Sequence, residues 1–346
     1  MVDAPKIPGA EQQFIEANGV VLSVYTTDQD KSAEGSIPPL LLLHGFPELA
    51  YSWRKQVLPL SELGCQIIVP DQRGYGSSST PDPVGEYDIH HLTGDLIGLM
   101  DRLEIATCIV VGHDWGGIIA WQMPLLHRDR IAGVVGVNTP FMARFPARPT
   151  DVFRSMFGEN HYIVRFQEPE VADRFLLDNI ETVLPILARK GLSPEMLAGL
   201  RSPLDFSEVP SGLQNALSGG DTGFVESAGF SGDLPGQPLM SDEEMRVYID
   251  IFRRTGFTGG INWYRNMDRN WETTPQLDGA RIDGIPCLMI TAEWDPYLPP
   301  TLANGMEDVI GDLETYMIPE CGHWTQQDKP EDLNRLICDW ITRKFG

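Results

Sequence analysis

The sequence predicts an α/β fold: a mostly parallel, eight-stranded sheet flanked by helices, with a helical segment inserted before the last two strands. Three observations carry this expectation. Several apolar runs are near-continuous rather than alternating, as in strands covered on both faces. Longer amphipathic stretches separate most of them. Between about Phe141 and Trp271 the strand rhythm stops and then resumes.

Taken in order, Gln13 to Ala17 and Val20 to Thr26 are joined by Asn18-Gly19, a hairpin turn signal, so two antiparallel strands open the sheet. Pro39 to Leu43, Cys65 to Val69, Cys108 to Val111 and Ile131 to Val137 follow as buried parallel strands. Residues 142–271 are expected to form a helical cap, inserted in a core made of residues 1–141 and 272–346. Within that cap Ser241-Asp242-Glu243-Glu244 is a capping box opening a helix that should stop at Gly256. Ser218 to Met240 carries six glycines and two prolines in 23 residues, which no regular element tolerates, and reads as a surface loop or as a loop lining the site entrance. Pro286 to Ala292 and Leu313 to Ile318 restore the strands. The last helix has Pro330 near its start and Leu333, Leu336, Ile337, Trp340 and Ile341 along one face.

With 26 Lys and Arg against 49 Asp and Glu, the net charge of -23 repels phosphate backbones and anionic membrane surfaces, so nucleic acid and membrane are not expected partners. Met1 to Lys6 shows no apolar leader core, and no apolar run is long enough to span a bilayer, which predicts a cytoplasmic protein. Five cysteines without ligand-like spacing suggest packing rather than a metal site, and neither metal nor cofactor is expected. Oligomeric state is not readable.

Gly112-His113-Asp114-Trp115-Gly116-Gly117 stands between a strand and a helix, the context of a nucleophile elbow. There the turn is tight enough to require small flanking residues, and it lifts the central side chain to a helix N-terminus. The alternative for Asp114 is an ordinary helix N-cap. The other parts resemble an α/β-hydrolase: His44 to Glu48 leaves a strand where one oxyanion-hole N–H is supplied, here by Phe46, and Trp115 supplies the second. Asp295 and His323 follow the last two strands in the order nucleophile, acid, histidine. Glu293 is the rival acid, but Asp295 lies farther into the loop. With aspartate as nucleophile, attack on an sp³ carbon forms an ester on Asp114, which histidine-activated water must then hydrolyse. Backbone donors and the helix dipole should keep Asp114 anionic at neutral pH.

His44 to Glu48, Gly112 to Gly117, Tyr162 to Pro169, Asn262 to Met267 and Gly322-His323-Trp324 together resemble the soluble epoxide hydrolases of the α/β-hydrolase superfamily, from about Phe14 to the end of the chain. The resemblance implies addition of water to a small-molecule epoxide, with Tyr162 and Tyr264 hydrogen-bonding the oxirane oxygen. It also implies a cis Phe46-Pro47 bond. Upstream of residue 11 there is no room for the N-terminal domain that some animal relatives carry, so no second activity is expected. The family further suggests a water-positioning role for Glu48 and His113. The last two residues read equally well as an exposed loop glutamate and a packed elbow histidine. Asp71-Gln72-Arg73-Gly74-Tyr75-Gly76 is a turn that the family shares, and its spacing does not suit a phosphate cradle.

Haloalkane dehalogenases resemble the chain in the aspartate-tryptophan pair and helical cap, but often place an asparagine where Phe46 stands. Fluoroacetate dehalogenases carry arginine where Trp115 stands. A non-catalytic ligand receptor of the same fold is a third reading, separable by whether a ligand binds without turnover. The particular epoxide, its regiochemistry and its enantiopreference are not written in the sequence.

Overall fold

The computed structural model describes residues 5–28, 37–159, 161–191 and 236–346. They fall in two compact units, one within Met1–Asp82, Ile89–Ala143 and Gln276–Gly346, the other within Pro83–Asp88 and Arg144–Pro275.

The first unit is built on eight strands: β1 (Glu11–Ala17), β2 (Val20–Thr26), β3 (Leu40–Leu43), β4 (Ile67–Pro70), β5 (Cys108–His113), β6 (Ile131–Val137), β7 (Cys287–Ala292) and β8 (Leu313–Ile318). Their order across the sheet is β1-β2-β4-β3-β5-β6-β7-β8. β1 and β2 pair antiparallel around Asn18 and Gly19, both at positive φ (51° and 79°), as a two-residue hairpin loop demands. β2 meets β4 antiparallel, and every later pairing is parallel. The strand expected from Cys65 opens at Ile67, although Gln66 still accepts from the Leu40 N–H at 2.9 Å.

Among the described residues the α-helices in chain order are α1 (Val57–Ser61), α2 (Ile89–Arg102) and α3 (Trp115–Leu126); then α4 (Pro149–Phe157), α5 (Tyr162–Arg165), α6 (Val171–Asp178), α7 (Ile180–Leu187), α8 (Asp242–Thr255), α9 (Thr258–Arg265) and α10 (Met267–Thr273); and finally α11 (Thr325–Asp328) and α12 (Pro330–Phe345). α4 to α10 belong to the second unit.

β3, β5 and β7 are buried along their whole length, which explains their unbroken apolar runs. Alternate residues Leu40, Leu42, Ile109, Val111, Leu288 and Ile290 face one core cluster, closed by Leu333, Ile337, Trp340 and Ile341 of α12. Each such burial is worth roughly 1.5–3 kcal/mol. These contacts hold the strand ends rigid, and those ends carry the candidate site. No helix among the described residues is long and apolar enough to cross a membrane.

Among its described residues the second unit has no strand beyond an isolated bridge between Arg189 and Pro238. α8 begins with the expected capping box: Ser241 Oγ accepts from the Glu244 N–H at 3.2 Å, and Glu244 Oε2 accepts from the Ser241 N–H at 2.9 Å. It ends at Gly256, whose φ of 69° a side chain would resist. Of the glycine-rich stretch Ser218 to Met240, residues 218–235 lie outside the described residues.

Candidate active site

Asp114 is the residue between β5 and α3, with φ 52° and ψ −122°. A non-glycine residue rarely adopts that conformation, and it persists only where its surroundings enforce it. Here they do. A Cβ at Gly116 would run into the backbone carbonyls of Leu43 and His44, and one at Gly112 into the backbone of Gly116. Thr139 Oγ1 also donates to the Asp114 carbonyl at 2.9 Å. Asp114 stands at the N-cap position of α3, yet its side chain makes no capping bond. The carboxylate instead takes the Phe46 N–H on Oδ1 at 2.8 Å and is also bonded by the Trp115 N–H. Both donors expected of an oxyanion hole are therefore on the Asp114 carboxylate, the Phe46 N–H on Oδ1. The Phe46-Pro47 peptide that presents the first of them is cis.

Asp295 and His323 follow β7 and β8. His323 Nδ1 lies 2.9 Å from Asp295 Oδ2, and its Nε2 lies 3.8 Å from Asp114 Oδ2. The Asp295 carboxylate is saturated: Oδ1 accepts from the N–H groups of Tyr297 (2.9 Å) and Leu298 (3.0 Å), and Oδ2 also accepts from Asn138 Nδ2 (2.7 Å). Glu293 is bonded elsewhere, to the Glu320 N–H at 2.9 Å. Side-chain exposure is 18% for Asp114, 11% for His323 and 0% for Asp295, so the acid is sealed while the other two can meet a small ligand.

Asn138, at the end of β6, was not among the residues the sequence singled out for a role. It sits at φ 61° and spans Asp295, the Gly322 carbonyl (3.3 Å) and the Thr325 hydroxyl (2.6 Å). Its sequence signal is its place directly after the strand Ile131 to Val137, the alternative acid position of some relatives, where an asparagine offers no carboxylate.

Glu48 and His113 meet in the interior. Glu48 Oε2 accepts from the Gly45 N–H at 2.7 Å and from His113 Nδ1 at 2.8 Å, while His113 Nε2 lies 2.7 Å from the His323 carbonyl oxygen. Both imidazole nitrogens face oxygen atoms, so the ring is held at both ends. Burial pushes the Glu48 carboxyl up, but His113, the Gly45 N–H and His44 outweigh it and leave it below the ordinary range. The pair thus forms a buried strut under the His323 main chain. The turn at Asp71 is likewise structural: Gln72 Nε2 donates to the His44 carbonyl at 2.6 Å, and Arg73 is paired with Asp95 at 2.6 Å.

The charges of the site lean on each other. Burial opposes a proton on His323, but Asp295, then Asp114 and Glu48, raise its pKa to about 9. Burial also opposes charge on Asp295, yet His323 and the donors above lower it to about 2. At Asp114 burial wins, raising the carboxyl against His323, His113 and the two backbone donors. Desolvation thus outweighs the backbone donors expected to favour the charged form, and it makes the carboxylate more basic.

Tyr162 opens α5 and Tyr264 lies near the end of α9, both in the second unit. Their ring centroids are 6.0 Å apart at 75°, and Phe166 contacts both edge-on, at 5.5 Å and 5.1 Å. The sequence-expected tyrosines are thus a pair within one unit, and the aspartates and histidines a cluster within the other.

A family model described as alpha/beta hydrolase fold matches residues 38–330. The chain is 41% identical over 333 residues to epoxide hydrolase A of Mycobacterium tuberculosis, covering 96% of this chain and 97% of that one. It is 35% identical over 310 residues to bifunctional epoxide hydrolase 2 of Sus scrofa, covering 89% of this chain but 52% of the pig protein. Among solved structures, epoxide hydrolase A from Mycobacterium thermoresistibile matches with a TM-score of 0.83 at 36% identity, covering 96% of this chain and 98% of that one. An epoxide hydrolase from Vigna radiata matches at 0.77 and 30%, covering 98% and 100%.

Proposed function

Because the chain belongs to the epoxide hydrolases of the α/β-hydrolase superfamily, we propose that it adds water to an oxirane to give a vicinal diol through an ester on Asp114. The observation that carries the two-step reading is the unequal setting of the two carboxylate oxygens. Oδ1 is held by the Phe46 N–H, whereas Oδ2 faces His323 at 3.8 Å, beyond direct hydrogen-bond reach. Oδ2 attacks an oxirane carbon and the carbon–oxygen bond of the ring breaks. Oδ1 remains as the ester carbonyl oxygen, already held by the Phe46 N–H. Tyr162 and Tyr264 donate hydrogen bonds to the departing oxygen; neutral phenols, with pKa about 10, suit an alkoxide that stays attached to the product.

In the second step water adds to the Asp114 ester carbon, His323 takes its proton, and negative charge grows on Oδ1 toward the N–H groups of Phe46 and Trp115. Such a donor contributes about 10²–10³ in rate. The tetrahedral species then expels the diol oxygen, which takes the proton from His323; the second water proton leaves the new Asp114 carboxyl for solvent, matching the one that solvent passes through the tyrosines to the alkoxide of the first step, and the Asp114 carboxylate is regenerated. Asp295 and Asn138 keep His323 oriented, and the Glu48–His113 strut supports its backbone, from which it acts on the hydrolytic step. Esterification helps His323 become a base, since a neutral ester no longer supplies the Asp114 charge that helps to raise its pKa to about 9.

A single turnover in H₂¹⁸O tests this scheme. The label is expected in the Asp114 carboxylate rather than in the first diol released, and His323→Gln should accumulate a protein adduct with the mass of the epoxide. Label appearing directly in the first diol, with no adduct in the His323 variant, would sink the ester intermediate.

A further inference from the structure

The segments that carry Tyr162 and Tyr264 are joined by more than their rings. α5 has only four residues, too few to hold a helical position by backbone bonds alone, so the place of Tyr162 depends on tertiary ties. Two polar side chains supply them. Gln167 Nε2 donates to the Ile163 carbonyl at 2.9 Å, inside α5, and to the Tyr264 carbonyl at 3.1 Å, inside α9. Both amide hydrogens are engaged, one for each tyrosine-bearing helix.

Arg265, next to Tyr264, reaches the other way. Its Nε donates to the Phe166 carbonyl (2.9 Å), Nη1 to Asn262 Oδ1 (3.0 Å) and Asp173 Oδ1 (3.1 Å), and Nη2 to the Glu168 carbonyl (3.0 Å) and Asp173 Oδ2 (2.6 Å). A guanidinium has five N–H donors in a rigid plane, and every one has an acceptor here. The pair is nearly closed to solvent, with Arg265 8% and Asp173 9% exposed. Phe166, whose carbonyl Arg265 holds, is also the ring that packs against both tyrosines. Burial would raise the Asp173 carboxyl, but Arg265 and Thr258 keep it below its usual range, so the clamp stays charged at neutral pH.

We propose that Gln167 and Arg265 are positioning residues for the reaction: they set the spacing of the Tyr162 and Tyr264 phenols and so control stabilisation of the oxygen that leaves carbon when the oxirane opens. This rests on the reading of both tyrosines as donors to that oxygen. The clamp acts on ring opening and not on ester hydrolysis, which is carried by residues of the first unit.

The test follows formation and decay of the Asp114 adduct by rapid-quench intact mass, using propylene oxide and its monofluoromethyl and trifluoromethyl analogues. Fluorine makes the emerging alkoxide less basic and less dependent on donors. Gln167→Met keeps length and volume but removes both donors; Arg265→Lys keeps charge but cannot fill the five-bond fork. Each should slow adduct formation about 10- to 100-fold with propylene oxide, the loss that misplacement by about an ångström produces. The defect should shrink toward the trifluoromethyl substrate, and adduct decay should stay within about twofold of wild type, far inside that range. Unchanged formation rates, or equal slowing across the series, would overturn the clamp. Tyr162→Phe and Tyr264→Phe separate the two levels: if they leave formation unchanged the underlying reading fails, whereas slow tyrosine variants beside fast clamp variants reject the clamp alone.

Discussion

The Asp114 elbow and the tyrosine pair place reactive groups by opposite means. At the elbow the backbone does the work: an aspartate at φ 52°, glycines where any Cβ would strike main chain, and main-chain N–H groups on the carboxylate. At the two tyrosines the backbone is ordinary helix, and side chains do the work, Gln167 and Arg265 reaching across to carbonyls of neighbouring segments. Main chain wedged against main chain has no flexible part to yield. Long polar side chains lose bonds one at a time. The elbow should therefore fail abruptly under small changes, and the helical unit by degrees.

The sharpest way to break the comparison is Gly116→Ala. The added methyl meets the carbonyls of Leu43 and His44, so either β3 or the elbow must move. About 3 kcal/mol or more of stability should be lost, at the upper end for overpacking, and adduct formation should fall by at least about 10³-fold in whatever folds. Thermal unfolding and the mass assay read the two effects. A Gly116→Ala protein with wild-type melting and rate would show that the elbow has slack.

The contrast also explains what the sequence revealed. Continuous apolar runs marked β3, β5, β6 and β7 because those strands are buried on both faces, and the periodic stripe of α12 marked the helix that covers them. The elbow was legible because its constraints are local: a glycine before and two after a nucleophile, within six residues. Asn138 was not, since its partners Asp295 and Thr325 lie 157 and 187 residues away, and nothing in a lone asparagine announces them. The roles of Gln167 and Arg265 were hidden for the same reason: their acceptors are mostly backbone carbonyls, which any residue offers. Glu48 and His113 were half legible, as chemistry without geometry.

A pH series probes the elbow's charges with an intermediate effect. His323 rises from 6.5 to about 9 in the folded protein, so its contribution to stability is full below 6.5 and is lost as pH climbs through about 9. Asp295 falls from 3.8 to about 2, so its contribution is present above 3.8 and is lost as pH drops through about 2. The melting temperature should thus decline between pH 7 and 10 more steeply in wild type than in His323→Gln. In the ester state Asp114 carries no charge, so the rate of adduct decay should rise with pH around a midpoint below about 9. A midpoint at or above 9 would mean that Asp114 contributes nothing to holding the proton.

The smallest effect belongs to the helical unit and bounds the comparison from the other side. Ser241→Ala removes one half of the capping box of α8, an exposed bond of 3.2 Å whose loss should cost about 1 kcal/mol. α8 packs on α7, and Arg253 pairs with Glu181 between them at 2.6 Å, so this helix pair should lose the cost together. Hydrogen exchange should quicken in α7 and α8 while protection in β5 and β7 is unchanged, because those strands sit in a separate core cluster. Adduct formation should stay near wild type, since neither Ser241 nor Glu244 belongs to the Gln167–Arg265 clamp. Uniform loss of protection through the sheet would show instead that the two units unfold as one, and that the helical unit's tolerance is borrowed from the core rather than its own.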